Sequence, residues 1–243
     1  RPRPTRKGPV AQRRMDLYER VADGSALVWA VHGLNVVLVV LVVTWFAHFD
    51  AGYAWASGDP AVFSWHPTLM TLGLLVCYSE AALSWRTLAF LPRYQRKVVH
   101  AGLQACALVL VVVGLHAVFR FHNEKTPPIP NMYSLHSWLG IITVVLFFAQ
   151  FTAGFTSFVY PLLGDSSRAA FVPVHSKLGV AILTCLVSAT VAMGVLEKMT
   201  FGKDCNNEHG ESTTKCSVAN SFGLLAVLLC MSVAFLLLDS NSH

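Results

Sequence analysis

The chain has 243 residues, 54% of them hydrophobic and only 13% charged, against roughly 25% charged in an ordinary soluble domain. That depletion excludes a soluble globular domain of this length and predicts an all-α integral membrane protein. The formal net charge of +5 does not point to nucleic acid, because the basic residues are distributed as membrane topology requires, thirteen on one side of the predicted spans and five on the other.

Apolar runs of about 18 residues or more with few charges read as transmembrane helices. Six follow one another, over about 26–48, 66–88, 97–119, 134–158, 173–196 and 218–238. A basic tail, 1–25, precedes them, with Arg1, Arg3, Arg6, Lys7, Arg13, Arg14 and Arg20, and is expected to be irregular and to flank the membrane. Residues 26–238 form one six-helix domain and 239–243 a short C-terminal tail. The thirteen-to-five split places both termini in the cytoplasm.

In chain order, the first helix ends near His48, and a loop rich in Gly, Asp and aromatics leads to Trp65-His66-Pro67. Proline suits a first helical turn, so the second helix opens there. Pro92 breaks the next connection, and the third helix begins around Lys97-Val98-Val99-His100. A proline-rich outer loop then leads to Asn131-Met132-Tyr133-Ser134-Leu135-His136-Ser137-Trp138 and the fourth helix. An inner loop, Leu162 to Ala170, passes through Pro173 into His175 and the fifth helix. The last outer loop, Lys198 to Ser217, holds Cys205 and Cys216. They face an oxidising compartment and are candidates for a disulfide; spacing leaves the pairing open. Cys77, Cys106, Cys185 and Cys230 lie inside helices, where small apolar packing is the expected role.

A histidine a few residues inside a membrane segment is costly unless something binds it. Four occur near helix starts, and helix direction sorts them. The second and fourth helices start on the outer side with His66 and His136, the third and fifth on the inner side with His100 and His175. Two imidazoles facing across a bundle ligate a six-coordinate haem iron from both faces, which suits electron transfer. The levels lie roughly 15–20 Å apart in a 30 Å core, so one centre cannot use both pairs. Two haem b groups within helices two to five are therefore expected. Gly140 and Gly179 follow His136 and His175 by four residues, on the same faces. Gly154 lies five turns past His136, where it would let the fourth helix pass close to the inner haem. His116 could replace one outer ligand, but His66 and His136 already pair. His32 lies about a turn inside the inner end of the first helix and His48 at its outer end, and His209 and His243 are expected to be solvated.

These motifs resemble the cytochrome b561 family of six-helix, di-haem membrane proteins. The markers are Phe63-Ser64-Trp65-His66-Pro67, Lys97 to Gly102, Asn131 to Trp138, and Arg168 followed by Pro173-Val174-His175. The resemblance implies the same ligand pairing and ascorbate as cytoplasmic electron donor, held by Arg93, Lys97 and Arg168. It implies an outer acceptor site at His122 and Asn131, with Tyr133 nearby, and a homodimer in the lipid bilayer. The expected function is transmembrane electron transfer from ascorbate to monodehydroascorbate or a ferric chelate, an oxidoreductase activity. The alternative is a haem or metal carrier, or a haem-based sensor, without ascorbate-driven transfer.

Overall fold

The computed structural model describes residues 9–160, 162–202 and 213–239. Among these residues the regular structure is entirely helical. Residues 1–8, Lys203, Cys205, His209 and His243, on which part of the sequence reading rests, lie outside them.

Six helices are long and apolar enough to cross a membrane. The first, α1, runs Pro9–His48, with the apolar stretch Ala26–His48. The others are α2 (Pro60–Thr87), α3 (Arg93–Glu124), α4 (Leu135–Val159), α5 (Asp165–Thr200) and α6 (Thr214–Leu238). All six expected spans are present. The segment before the first span is helical from Pro9 rather than irregular, because no glycine or proline interrupts Val10 to Asp23 and the span supplies a formed helix to extend.

The fifth helix also starts earlier than expected, at Asp165 instead of near Pro173. Gly164 is extended, Asp165 puts an acidic side chain in the first turn, and the Arg168 amide donates to the Gly164 carbonyl at 3.0 Å. A negative charge at a helix N-terminus is favourable, so the start forms eight residues before Pro173. The proline is carried inside the helix at the loss of one backbone hydrogen bond.

Packing is sequential. α1 lies along α6 and touches α2, α2 packs on α3, α4 on α5, and α5 on α6. The buried core includes Val31, Leu38, Trp45 and Phe46 of α1 and Phe222, Leu229 and Val233 of α6. Gly73 allows α2 to approach α3 closely, since a Cβ there would lie 3.0 Å from the Ala107 carbonyl oxygen. Three helices contain a π-type segment, Thr71–Cys77 in α2, Phe155–Val159 in α4 and Ile182–Val187 in α5. Such segments shift the faces a helix presents beyond them and occur often at functional sites.

The start of α4 is fixed by a capping box. The Ser137 amide donates to Ser134 Oγ at 3.2 Å and the Ser134 amide to Ser137 Oγ at 3.1 Å. Two amides that lack helical partners are thereby satisfied, and His136 is held in the first turn. Ser134→Ala is expected to cost about 1 kcal/mol, seen as a lower Tm of the detergent-solubilised protein. An unchanged Tm would mean that the cap does not hold the helix start.

Two histidine pairs as the candidate functional site

His66 in α2 and His136 in α4 face each other with ring centroids 6.1 Å apart and planes at 83°. Toward the other end of the bundle, His100 in α3 and His175 in α5 stand 6.3 Å apart at 70°. The two-and-two sorting expected from helix direction is thus realised in space. Backbone carbonyls orient three of the four rings. His66 Nδ1 lies 3.1 Å from the Gly114 oxygen, His136 Nδ1 2.9 Å from Thr190, and His100 Nδ1 2.7 Å from Ala81. A carbonyl only accepts, so each Nδ1 carries the proton and Nε2 keeps its lone pair.

His175 is held differently. Its Nδ1 is buried without a hydrogen-bond partner. Its ring is flanked by Phe158 at 5.5 Å and Phe171 at 5.9 Å, and its carbonyl accepts from Gln150 Nε2 at 2.6 Å.

The expected glycines are only partly the ones that matter. Gly154 of α4 does press on His175, where a Cβ would lie 2.7 Å from Cε1. Gly140 does not crowd a ring, since a Cβ there would meet only Thr190 at 3.7 Å, and one at Gly179 would meet Gln150 and Tyr78 at 3.4 and 3.6 Å. The residue beside His136 is Gly194 of α5, with a Cβ 2.8 Å from Cε1 and 2.9 Å from Nδ1. So α4 and α5 are reciprocal, each contributing a histidine to one pair and the glycine that seats the histidine of the other. Gly154 follows His136 by 18 residues and Gly194 follows His175 by 19. These separations correspond to about 27–29 Å along a helix, which carries each helix from one pair to the other.

At the inner pair, Lys97 Nζ donates to the Phe158 carbonyl at 2.8 Å, on the residue whose ring flanks His175. Arg93 is exposed at the first position of α3. Arg168 is bound by Asp165 and by the Leu163 carbonyl at 3.3 Å, so a carboxylate offsets part of its charge. Trp85 and Arg96 also stand at this site, with no mark in the sequence that places them there. Trp85 lies 6.1 Å from the His100 ring and carries the Arg96 guanidinium 5.6 Å from its centroid.

At the outer pair a cavity of about 460 Å³ reaches from His66 and His136 to His122, Asn131 and Tyr133. His122 Nδ1 lies 3.1 Å from Asn131 Oδ1, and Asn131 Nδ2 donates to Asn123 Oδ1 at 2.9 Å. Tyr133 donates to Glu197 Oε1 at 2.9 Å. Burial, with Glu197 as acceptor, pushes the phenol up to about 12, so this contact persists through neutral pH. Glu197 and Lys198 line the same cavity and were not expected from sequence. His116 stacks on Trp55 at 6.0 Å and takes no part in the outer pair.

Residues 65–202 match the family described as eukaryotic cytochrome b561. The chain belongs to that family. It is 37% identical over 217 residues to a lysosomal membrane ascorbate-dependent ferrireductase of Bos taurus, covering 88% of this chain and 80% of the relative. A putative transmembrane ascorbate-dependent reductase of Caenorhabditis elegans is 34% identical, with 83% and 77% covered. Transmembrane ascorbate ferrireductase 2 of Arabidopsis thaliana is 35% identical, with 86% and 89% covered.

Membership of the cytochrome b561 family carries haem b, and the pairs fit that group. A metal bound between two imidazole nitrogens at about 2.0–2.1 Å each separates the ring centroids by about 6.3 Å, close to both observed values. Among the described residues no group of three or more His, Cys, Asp or Glu is placed to hold a metal ion. Each pair would offer one imidazole from either side to haem b. The disulfide expectation is met on one side: Cys216 is disulfide-bonded, while Cys77, Cys106, Cys185 and Cys230 are free.

Lys198 and Lys215 converge on Asp50 Oδ2 at 2.9 and 3.5 Å, tying α5 and α6 to the end of α1. Burial raises the Asp50 pKa, but hydrogen bonds from Lys198 and the Ala51 amide and the two lysine charges outweigh it and hold the group below its usual 3.8. A depressed carboxylate stabilises the fold above its unfolded pKa and loses that contribution as pH falls through the folded value. Asp50→Asn should therefore lower the Tm at neutral pH. The difference from wild type should disappear as pH falls below 3.8, and a pH-independent difference would contradict the ion-pair account.

Proposed function

We propose that this cytochrome b561 is a transmembrane oxidoreductase that takes electrons one at a time from cytoplasmic ascorbate and delivers them to an acceptor on the other face. The observation that carries the reading is the pair of matched histidine separations, 6.1 and 6.3 Å, each seated by a glycine of the facing helix. His100 and His175 would hold one haem b, and His66 and His136 a second. Bound there, haem b supplies one-electron redox chemistry at an iron with no open position.

The chain's own residues prepare both ends. Lys97 spends one of its three donors on Phe158, leaving two for an anionic donor. Arg93 and Arg168 add positive charge at the same end, and such a cluster concentrates a monoanionic reductant such as ascorbate. At the other end His122, Asn131 and Tyr133 form a polar mouth above His66 and His136. That mouth suits a polar acceptor, monodehydroascorbate radical or a ferric chelate, and the relatives named as ascorbate-dependent ferrireductases support the chelate. The thirteen-to-five distribution of Lys and Arg supports a cytoplasmic Lys97 end and cytoplasmic termini. A homodimer belongs to the proposal on family resemblance.

The test is ascorbate reduction of the purified holoprotein, followed in the visible spectrum. Two bis-histidine haems per chain, both reduced, are expected. His100→Ala should lose one of them and abolish transfer across reconstituted vesicles. A single haem, or none reduced by ascorbate, would favour a carrier or sensor. Transfer persisting in His100→Ala would overturn the pairing.

A further inference from the structure

Glu80, seven residues before the end of α2 at Thr87, has no part in the function above. Its Oε1 accepts a hydrogen bond from Asn35 Nδ2 at 2.7 Å and lies 2.7 Å from His32 Nδ1. Asn35 Nδ2 also reaches Ser79 Oγ at 3.0 Å, and Ser79 Oγ donates to Asn35 Oδ1 at 3.3 Å. A carboxylate and an imidazole are thus bonded inside two apolar spans. Ionisable groups there are costly and concentrate along proton and ion pathways.

Depth and connection point to a role. His32 follows Ala26 by six residues, so both groups lie about 9–11 Å inside their spans, at the end of the bundle that holds His100 and His175. The next residue, Ala81, gives its carbonyl to His100 Nδ1 at 2.7 Å and to the Ser84 hydroxyl at 2.7 Å. One peptide unit therefore separates the carboxylate-bearing residue from the group that orients an inner-pair ring. His32 and Glu80 are half-buried, with 30% and 27% of their side-chain surface left uncovered by the bundle.

We propose that Glu80 and His32 form a redox-linked proton site, taking up one proton when an electron reaches the inner pair and releasing it when the electron moves on. The inference rests on the haem reading of His100 and His175. Ascorbate monoanion gives up one electron and one proton and becomes the monodehydroascorbate radical anion. The electron is taken at the inner pair and the proton by the carboxylate–imidazole pair, and the proton returns to the same face.

Other groups around Glu80 are few. Cys77 on the same helix lies nearby, with Cys106 of α3 beside it, and the Ala81 carbonyl links the Glu80 segment to His100. Arg86 turns to the Leu236 carbonyl of α6 at 3.2 Å. Between Val218 and Leu238, α6 has no charged residue and no histidine.

The test is a spectroelectrochemical titration of the purified holoprotein from about pH 5 to about pH 8, the range over which histidine titrates. The inner haem is identified as the one lost in His100→Ala. Its midpoint potential is expected to fall as pH rises, by up to about 59 mV for each tenfold drop in proton concentration. Glu80→Gln should flatten that dependence, Glu80→Asp should keep it, and the outer haem should be unaffected by either. If Glu80→Gln does not fold, His32→Gln should shift the pH range of the dependence. A pH-independent wild-type potential, an unaltered slope in Glu80→Gln, or an unshifted pH range in His32→Gln would overturn the inference while both haem spectra stay intact. Loss of the second haem spectrum in wild type would instead overturn the reading on which it rests.

Discussion

The structure depends on satisfying imidazoles inside hydrocarbon. A polar ring placed there costs free energy unless both nitrogens are matched. At three of the four positions a carbonyl from another helix accepts the hydrogen bond from Nδ1, and this fixes which helices are neighbours. His66 requires α3 through Gly114, His136 requires α5 through Thr190, and His100 requires α2 through Ala81. The two rings of each pair stand 6.1 and 6.3 Å apart, a separation that would fit a bound iron. The helix order around the centre follows from where those hydrogen bonds go.

Close approach completes the arrangement. A ring beside a neighbouring helix needs a position without a side chain, and α4 and α5 supply Gly154 and Gly194 in reciprocal fashion. The exchange ties the two levels together, because a shift of α4 along α5 would misplace both rings at once. The levels still differ. The outer pair opens to a polar cavity, whereas His175 lies against the stacked rings of Phe158 and Phe171 with an unpartnered Nδ1. The outer level thus opens to polar side chains, and the inner level has aromatic rings beside one of its histidines.

Much of this was legible in the sequence. Span number and histidine sorting followed from apolar run length and helix direction, both local properties. Gly194 was missed because face arithmetic looks one turn along the histidine's own helix, while the contact comes from across the interface. Its signal was the spacing of 19 residues after His175, nearly matching the 18 between His136 and Gly154. The start of α5 was misplaced because Pro173 reads as a boundary, whereas Asp165 and the Gly164 turn begin the helix earlier. The Glu80–His32 contact joins residues 48 positions apart, and neither carries a local mark of its partner. Asn131, Tyr133 and His122 do meet at one cavity, but Glu197 and Lys198 join them only through the packing of α5.

The central claim is that each glycine of the reciprocal pair makes room for one haem-binding histidine of the facing helix. Haem content per chain, measured by pyridine haemochrome on purified Gly154→Leu and Gly194→Leu, tests it most directly. Each substitution should remove one haem and leave the other, with the inner spectrum lost in Gly154→Leu and the outer in Gly194→Leu. Full haem content in both variants, or loss of the same haem in both, would contradict it.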